Sequence, residues 1–365
     1  MIRMNDFRSE PEALREVERS AMNRVLDSGW YVLGNEVQAF EQSWANCCGT
    51  SEAVGVGNGM DAIEIGLRAS GIGCGDEVIT TAMTAFATVL AIMRAGATPV
   101  LADIDPETAL LDLRSAERCL SSKTKAVLLV HLYGQIKRMD AWTDFCETNR
   151  ILLLEDCAQS HLASWKGKVS GSFGVWGAYS FYPTKNLGAK GDGGALVTNL
   201  KAIAKISRSL RNYGQEERYH HPVQGLNSRL DELQAALLSA RLEWLKGFTT
   251  RRREIAHAYY SRIDNPHVRL LCPPNDEDNH VYHLFVVLSD ERDRLTAYLK
   301  DKGVESLSHY PVPIHFQEPC RLLRSDPQGL KYSEIHASEC LSIPCHPQLS
   351  DSDVSHVIQA INEFR

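Results

Sequence analysis

Between residues 53 and 159 the chain alternates short, almost continuously apolar runs with stretches of helical periodicity. The runs are AVGV (53–56), DEVIT (76–80), TPVLADI (98–104), AVLLVHLYG (126–134) and ILLLEDCAQ (151–159). They have strand length, and they are too apolar to face water on one side. Helices are expected between them at Met60–Ala69, Phe86–Ala95, Asp112–Leu120 and Ala141–Asn149. A strand apolar on both sides must be covered on both faces, and helices in the crossovers supply that cover. The pattern therefore predicts an α/β protein, a three-layer α/β/α arrangement around a mainly parallel sheet. In such sheets ligands bind beyond the C-terminal ends of the strands. The glycine turn at 57–59, Asp156 and Gln159 are expected there.

Apolar spacing predicts two earlier helices, at 11–28 and 37–47. GAYSFY (177–182) and GALVT (194–198) read as two further strands, followed by helices at Leu200–Asn212, Leu230–Lys246 and Arg251–Ile263. After residue 250 the character changes. HVYHLFVVL (280–288) alternates as a half-buried antiparallel strand would, Arg292–Lys302 is helical, and VSHVIQAINEF closes the chain as a helix. The expectation is a large domain over 1–249 and a smaller α+β domain over 250–365.

Charge narrows the class. The net charge is −7 with no long run of one sign, so nucleic acid is not an expected partner. No apolar run is long enough to span a bilayer, and MIRMNDFRSEPEALREVE lacks the apolar core of a signal peptide. A cytoplasmic protein is expected. The ten cysteines are scattered with no C-x-x-C pair, so they are expected as small buried hydrophobes rather than disulfides. Cys345-His346 lies among prolines, which favours an ordered turn over a metal site, and no metal is expected.

Three features carry chemistry. The stretch SFYPTKNLGAKGDGGA (180–195) holds one lysine, Lys185, between an aromatic pair and a glycine-dense loop. Alone it is equally a surface hairpin or an amine pinned beside a pocket, as a lysine bonding an aldehyde cofactor must be. The strand–glycine–helix unit at 53–61 presents free N–H groups and a positive dipole end to an anion. It is not a dinucleotide or P-loop fingerprint, because neither the G-x-G-x-x-G spacing nor G-x-x-x-x-G-K-[ST] occurs, which counts against a nucleotide-dependent oxidoreductase. Asp156 ends a buried strand. A lysine, an opposed carboxylate and an amide-rich anion cradle are what pyridoxal phosphate requires.

The motifs GNGMDAIEI (57–65), TAFAT (84–88), VHLYGQ (130–135), EDCAQS (155–160), SFYPTKNLGAKGDGGA, RNYG (211–214) and NSRLDELQAA (227–236) occur in this order, with HYPVPIH and SIPCHP further on. In these the chain resembles the DegT/DnrJ/EryC1/StrS sugar aminotransferases, a branch of the aspartate-aminotransferase-like, fold-type I pyridoxal phosphate enzymes. The resemblance implies that Lys185 forms the Schiff base and carries the proton, and that Asp156 pairs with the pyridine nitrogen. It places Gln159 near the ring hydroxyl and Phe86 on the ring face. Ser180 and the amides of Gly59, Met60 and Asp61 would hold the phosphate. Asn227 would reach the phosphate of a neighbouring subunit, which implies a homodimer with composite sites. Met60 departs from the pattern, where many members carry Thr or Ser. Arg229, His309 and Tyr310 are the candidates for contact with a sugar nucleotide, against a surface-loop or interface reading.

Dehydratases of the family carry His in place of the lysine, so Lys185 implies transamination. The loop KNLGAKGDGG, with Asp192, resembles enzymes that aminate a nucleotide-linked 3-oxo sugar. The expectation is a dTDP-3-oxo-6-deoxyhexose, with glutamate as donor and pyridoxamine phosphate formed between the half-reactions. A UDP-linked or 4-oxo sugar is the alternative. From another class, a non-catalytic pyridoxal phosphate-binding regulator remains to be weighed.

Overall fold

The computed structural model describes residues Met1–Arg365. Helices α1 (Glu12–Ser28) and α2 (Asn35–Cys48) lead into β1 (Glu52–Val56), α3 (Gly59–Ala69), β2 (Glu77–Thr81), α4 (Phe86–Arg94), β3 (Thr98–Ala102), α5 (Leu113–Arg118), β4 (Thr124–Val130), α6 (Met139–Asn149) and β5 (Leu152–Asp156). A small hairpin, β6 (Ser164–Trp165) and β7 (Lys168–Val169), precedes β8 (Gly177–Ser180), β9 (Gly194–Thr198), α7 (Lys201–Leu210) and α8 (Glu232–Arg262). The remainder holds β10 (Arg269–Leu270), β11 (Phe285–Leu288), α9 (Arg292–Asp301), α10 (Lys331–Glu339), β12 (Cys340–Ile343) and α11 (Asp351–Asn362). No helix is long and apolar enough to cross a membrane.

Seven strands form the main sheet in the order β1-β9-β8-β5-β4-β2-β3. Only β9 runs against the rest, pairing antiparallel with β1 and β8. The covered-sheet expectation holds residue by residue. Along β4, Leu128 joins a cluster with Ile63, Leu67, Ile92 and Trp176, while Val127 and Leu129 face the opposite cluster with Ile79, Leu153 and Trp142. Consecutive side chains of a strand point to opposite faces, so an unbroken apolar run needs both layers.

Two of the quoted motifs turn out to anchor this framework. The Glu232 carboxylate accepts from the N–H groups of Gly34, Glu36 and Val37 at 2.8, 2.9 and 3.0 Å, capping α2 from the far end of the large sheet's sequence. Arg211 donates to the Gly55 carbonyl at 2.7 Å, and Glu41, its ion-pair partner, accepts from the Gly55 N–H at 2.7 Å. Together they fix the strand that delivers the glycine turn.

Three expectations need correction. The helices expected at 230–246 and 251–263 are one 31-residue helix, α8. Gly247 costs about 1 kcal/mol in a helix interior, but α1 and α2 pack along the first half and α11 along the second. Ala235 and Leu238 enter one core, Ile255, Ala256 and Tyr259 another. The 249/250 boundary thus falls inside a continuous helix. The segment 280–288 is a strand only over Phe285–Leu288, and all four residues are buried, because β11 is the middle strand of β10-β11-β12. Finally, all ten cysteines are free, but Cys74 and Cys272 are exposed.

Candidate active site

The C-terminal ends of β4 and β5, the first turn of α3, the start of α4 and the loop after β8 surround one cavity. It encloses about 500 Å3 of space, part of it open to solvent. Gly59, Met60, Asp156, Gln159, Ser180 and Lys185 line it, with Thr84, Thr88 and His131. A larger hollow of about 720 Å3, part of it open to solvent, shares Val130 and His131; its other walls combine Leu110, Leu111, Leu113, Leu129 and Trp142 with Asp105, Asp112, Lys137 and Arg138, and none of the residues singled out in the sequence lies in it.

Lys185 sits in a tightly folded loop. Its N–H donates to the Tyr182 carbonyl at 2.8 Å, Ala189 N–H to the Phe181 carbonyl at 2.7 Å, and Phe181 N–H to the Gly193 carbonyl at 2.8 Å. A Cβ at Gly188 would lie 2.3 Å from the Pro183 carbonyl oxygen, so only glycine closes this turn. Burial lowers the Lys185 amine to about 8, with Asp156 acting in the opposite direction. An amine with this environment has an appreciable neutral fraction near neutrality, which a nucleophile needs.

Asp156 is buried at the end of β5. Thr88 donates to its Oδ2 at 2.8 Å, and the Ala158 N–H to its Oδ1 at 3.1 Å. Burial raises its pKa, opposed by these two bonds and by the charges of Lys185 and His131. Gln159 is held by the Tyr133 N–H, which donates to its Oε1 at 2.6 Å, and its Nε2 donates to the Tyr310 hydroxyl at 3.3 Å. Tyr310 is therefore tied to the cavity wall. Burial pushes its hydroxyl up to about 12, so it is a neutral donor.

At the opposite end, α3 begins at Gly59. The side chain of Asn58 accepts from the Asp61 N–H at 2.8 Å, so that amide is engaged inside the helix cap rather than presented outward. The Gly59 and Met60 amides have no such partner. A Cβ on Gly59 would approach the Ser180 Cβ to 2.6 Å, so glycine lets the helix start lie against β8 with the Ser180 hydroxyl beside it.

The other expected residues lie outside the cavity lining. Phe86 opens α4 and is 36% exposed, although its neighbours Ala85 and Ala87 line the wall. Asn227 is exposed, and Arg229 donates to Asn212 Oδ1 at 3.0 Å while stacking over Tyr213. His309 bonds Ser342 Oγ through Nδ1 at 2.8 Å, and burial lowers it to about 4. Sequence reasoning missed Thr88 and His131. Thr88 lies in the TAFAT motif one helical turn beyond Thr84, to which it bonds at 2.9 Å. His131 follows β4 and bonds Glu155 at 2.9 Å. That carboxylate also accepts from Gly171, Phe173 and Gly174 N–H groups at 2.8 to 2.9 Å, so its lone pairs are committed and the nearby Cys157 thiol adds no metal centre.

A parallel sheet with one reversed strand, carrying an opposed lysine and carboxylate in one cavity, defines a class that the comparisons name. The model of the DegT/DnrJ/EryC1/StrS aminotransferase family matches residues 12–362, and the chain belongs to that family. The chain is 43% identical, over 100% of its length and 99% of the relative's, to the dTDP-3-amino-3,6-dideoxy-alpha-D-galactopyranose transaminase of Aneurinibacillus thermoaerophilus. It is 39% identical, over 99% of its length and 98% of the other's, to a pleiotropic regulatory protein of Geobacillus stearothermophilus. The crystal structure of S. venezuelae DesV, in complex with a ketimine intermediate, superposes with a TM-score of 0.94 at 41% identity, covering 98% of this chain and 96% of that one.

Proposed function

We propose that this chain is a pyridoxal phosphate-dependent aminotransferase that moves an amino group from L-glutamate to C3 of a dTDP-linked 3-oxo-6-deoxyhexose. The observation that carries the reading is the pairing, in one cavity, of the Lys185 amine with the buried Asp156 carboxylate, with unengaged α3 amides at the opposite end. The donor set fits the cofactor: a nucleophilic amine, an acceptor for the ring nitrogen, and N–H and O–H donors for a phosphate.

When bound, pyridoxal phosphate supplies the carbonyl that takes the amino group and a ring that accepts an electron pair. Asp156, oriented by Thr88 and the Ala158 amide, holds the proton on the ring nitrogen. Gln159 would donate to the cofactor's hydroxyl side, and Phe86, at the start of α4 beside the lining residues Ala85 and Ala87, would supply an aromatic face. The Gly59 and Met60 amides and Ser180 hold the phosphate; the Asp61 contribution is to fix the helix start. Lys185, with an amine that burial lowers to about 8, would bond the cofactor carbonyl and would carry the proton at the substrate carbon.

We assign the site to a homodimer, with Asn227 of one subunit serving the phosphate end of the other. Exposed Trp30, Tyr31, Tyr182 and Tyr213, on segments flanking the site, are 63, 49, 53 and 45% accessible and supply an apolar contact surface. Arg229, His309 and Tyr310 face the sugar nucleotide in this reading. The chain divides into a large and a small domain joined through α8, and works in the cytoplasm.

A second reading, a non-catalytic cofactor-binding regulator, draws on the name of the Geobacillus relative. One experiment separates them. The purified protein should bind pyridoxal phosphate with visible absorbance, and L-glutamate should convert the bound cofactor to the pyridoxamine form. Lys185→Ala should lose both. A protein that binds the cofactor but leaves glutamate untouched is the regulator.

A further inference from the structure

The 720 Å3 hollow has no part in the proposed reaction, although it backs onto the cofactor cavity at Val130 and His131. The centres of water molecules can occupy about 200 Å3 of it, whereas one bound water needs only about 10–15 Å3. That is room for a small organic molecule. Leu110, Leu111, Leu129 and Trp142 give it apolar walls, as small-molecule sites have, with a few polar groups among them. Trp142 is 4% exposed, yet its indole N–H bonds nothing in the chain. A buried indole N–H usually has a partner.

Charged residues of the lining give the occupant its polarity. Lys137, half-buried, and Arg138 stand at the start of α6, and Asp105 and Asp112 on the segment before α5. No ion pair joins any of the four to another charge. Each aspartate gives Oδ1 to a backbone N–H at 2.8 Å, from Glu107 and Ser115 respectively, and keeps Oδ2 free. Two cations and two carboxylates around one hollow, none of them paired, suit a ligand that carries both signs. The helix start strengthens the cationic side. Arg138, the N-cap of α6, makes no side-chain cap bond, and the Met139 and Ala141 amides have no acceptor. Asp140, the acid of the first turn, is engaged by Trp165 Nε1 at 3.0 Å and Lys166 Nζ at 3.3 Å. Uncapped amides, a positive dipole end and Lys137 together favour a carboxylate there.

We propose that this hollow binds a small apolar α-amino acid as its zwitterion. The carboxylate takes the Met139 and Ala141 amides and the Lys137 ammonium, the ligand's ammonium donates to the free oxygens of Asp105 and Asp112, and its side chain lies against Leu110, Leu129 and Trp142. The site is separate from the one that takes the amino donor, because neither Lys185 nor Asp156 lines it. Its occupant rests on Val130 and His131, the two residues that also wall the cofactor cavity.

Crystals of the cofactor-loaded protein soaked in L-selenomethionine test this directly. The expected result is an anomalous selenium peak within about 4.5 Å of the Leu129 or Trp142 side chain. Water alone in the hollow, or selenium only in the cofactor cavity, overturns it. In solution, calorimetric titration with L-methionine should find one site whose affinity is the same in the parent and in Lys185→Ala, so the result stands apart from the aminotransferase reading. A site that disappears in Lys185→Ala is the cofactor cavity and overturns the proposal. Lys137→Gln should weaken binding about tenfold, and Ala141→Phe, which fills the hollow from α6, should abolish it. Affinity unchanged in either variant contradicts the proposal, and Lys137→Gln, which removes no contact within the chain, carries the test should Ala141→Phe not fold. 3-Methylthiopropylamine and 4-methylthiobutanoate, each lacking one charge of methionine, should bind at least about tenfold more weakly; either one binding as well as methionine overturns the zwitterion.

Discussion

The two ends of the cofactor cavity are built differently. At the carboxylate end every group has a partner from the same chain: Thr88 and Ala158 on Asp156, Tyr133 and Tyr310 on Gln159. At the helix end the Gly59 and Met60 amides have no partner, the Ser180 hydroxyl only accepts the Tyr182 N–H at 3.3 Å, and Asn227 is exposed outside the cavity lining. The carboxylate end sets the electronics of a ring and needs geometry fixed before anything binds. The helix end only needs donors and a positive dipole, which ligand and neighbour can complete. Pre-organisation is therefore concentrated where the charge of the reaction develops.

This contrast can be broken by substitution. Asp156→Asn removes the acceptor for the ring-nitrogen proton and should lower kcat roughly 10²-fold, measured in steady state with the folded state checked by circular dichroism. It should also move Lys185. Burial lowers the Lys185 pKa, and the Asp156 carboxylate, which favours the ammonium form, partly offsets this, leaving it at about 8. Without it the amine should titrate lower, and the rate at which cofactor-stripped protein takes up pyridoxal phosphate should reach its half-maximum at lower pH than in the parent. An unchanged or higher midpoint would show that Asp156 does not act on Lys185.

Thr88→Val keeps the shape but removes a donor to a charged oxygen, a loss of about 1.5 kcal/mol or roughly tenfold in kcat. Asn227→Ala should act on affinity instead. The cofactor dissociation constant should rise about tenfold, with kcat at saturation little changed. Mixing Asn227→Ala with Lys185→Ala subunits should give hybrid dimers whose one lysine-bearing site regains the parent's cofactor affinity; an affinity as weak as that of the Asn227→Ala dimer would argue for sites complete within one chain. Met60→Ala should change the cofactor affinity by less than about twofold, because the backbone amide, not the side chain, is used.

The layered sheet was legible because burial on both faces leaves a plain trace, as in Val127-Leu128-Leu129. Lys185, Asp156, Gln159, Ser180 and the 59–60 turn were legible because each sits at a strand end or a glycine turn that the sequence marks. What was not legible depends on packing partners remote in sequence. Gly247 reads as a helix break until α1, α2 and α11 are seen along α8. The Asp61 amide reads as a phosphate donor until Asn58 is seen to claim it. Thr88 is one threonine among several until β5 brings Asp156 to it.

The central claim is transfer of an amino group through Lys185 to C3 of a nucleotide sugar. Its most direct measurement is a pair of half-reactions on one sample. L-glutamate should bleach the visible absorbance of the cofactor-loaded protein. A dTDP-3-oxo-6-deoxyhexose added next should restore it, with one equivalent of 3-amino sugar seen by mass spectrometry. Recovery with only a 4-oxo or a UDP-linked sugar would contradict the assignment of substrate, and no bleaching with glutamate would contradict the assignment of donor.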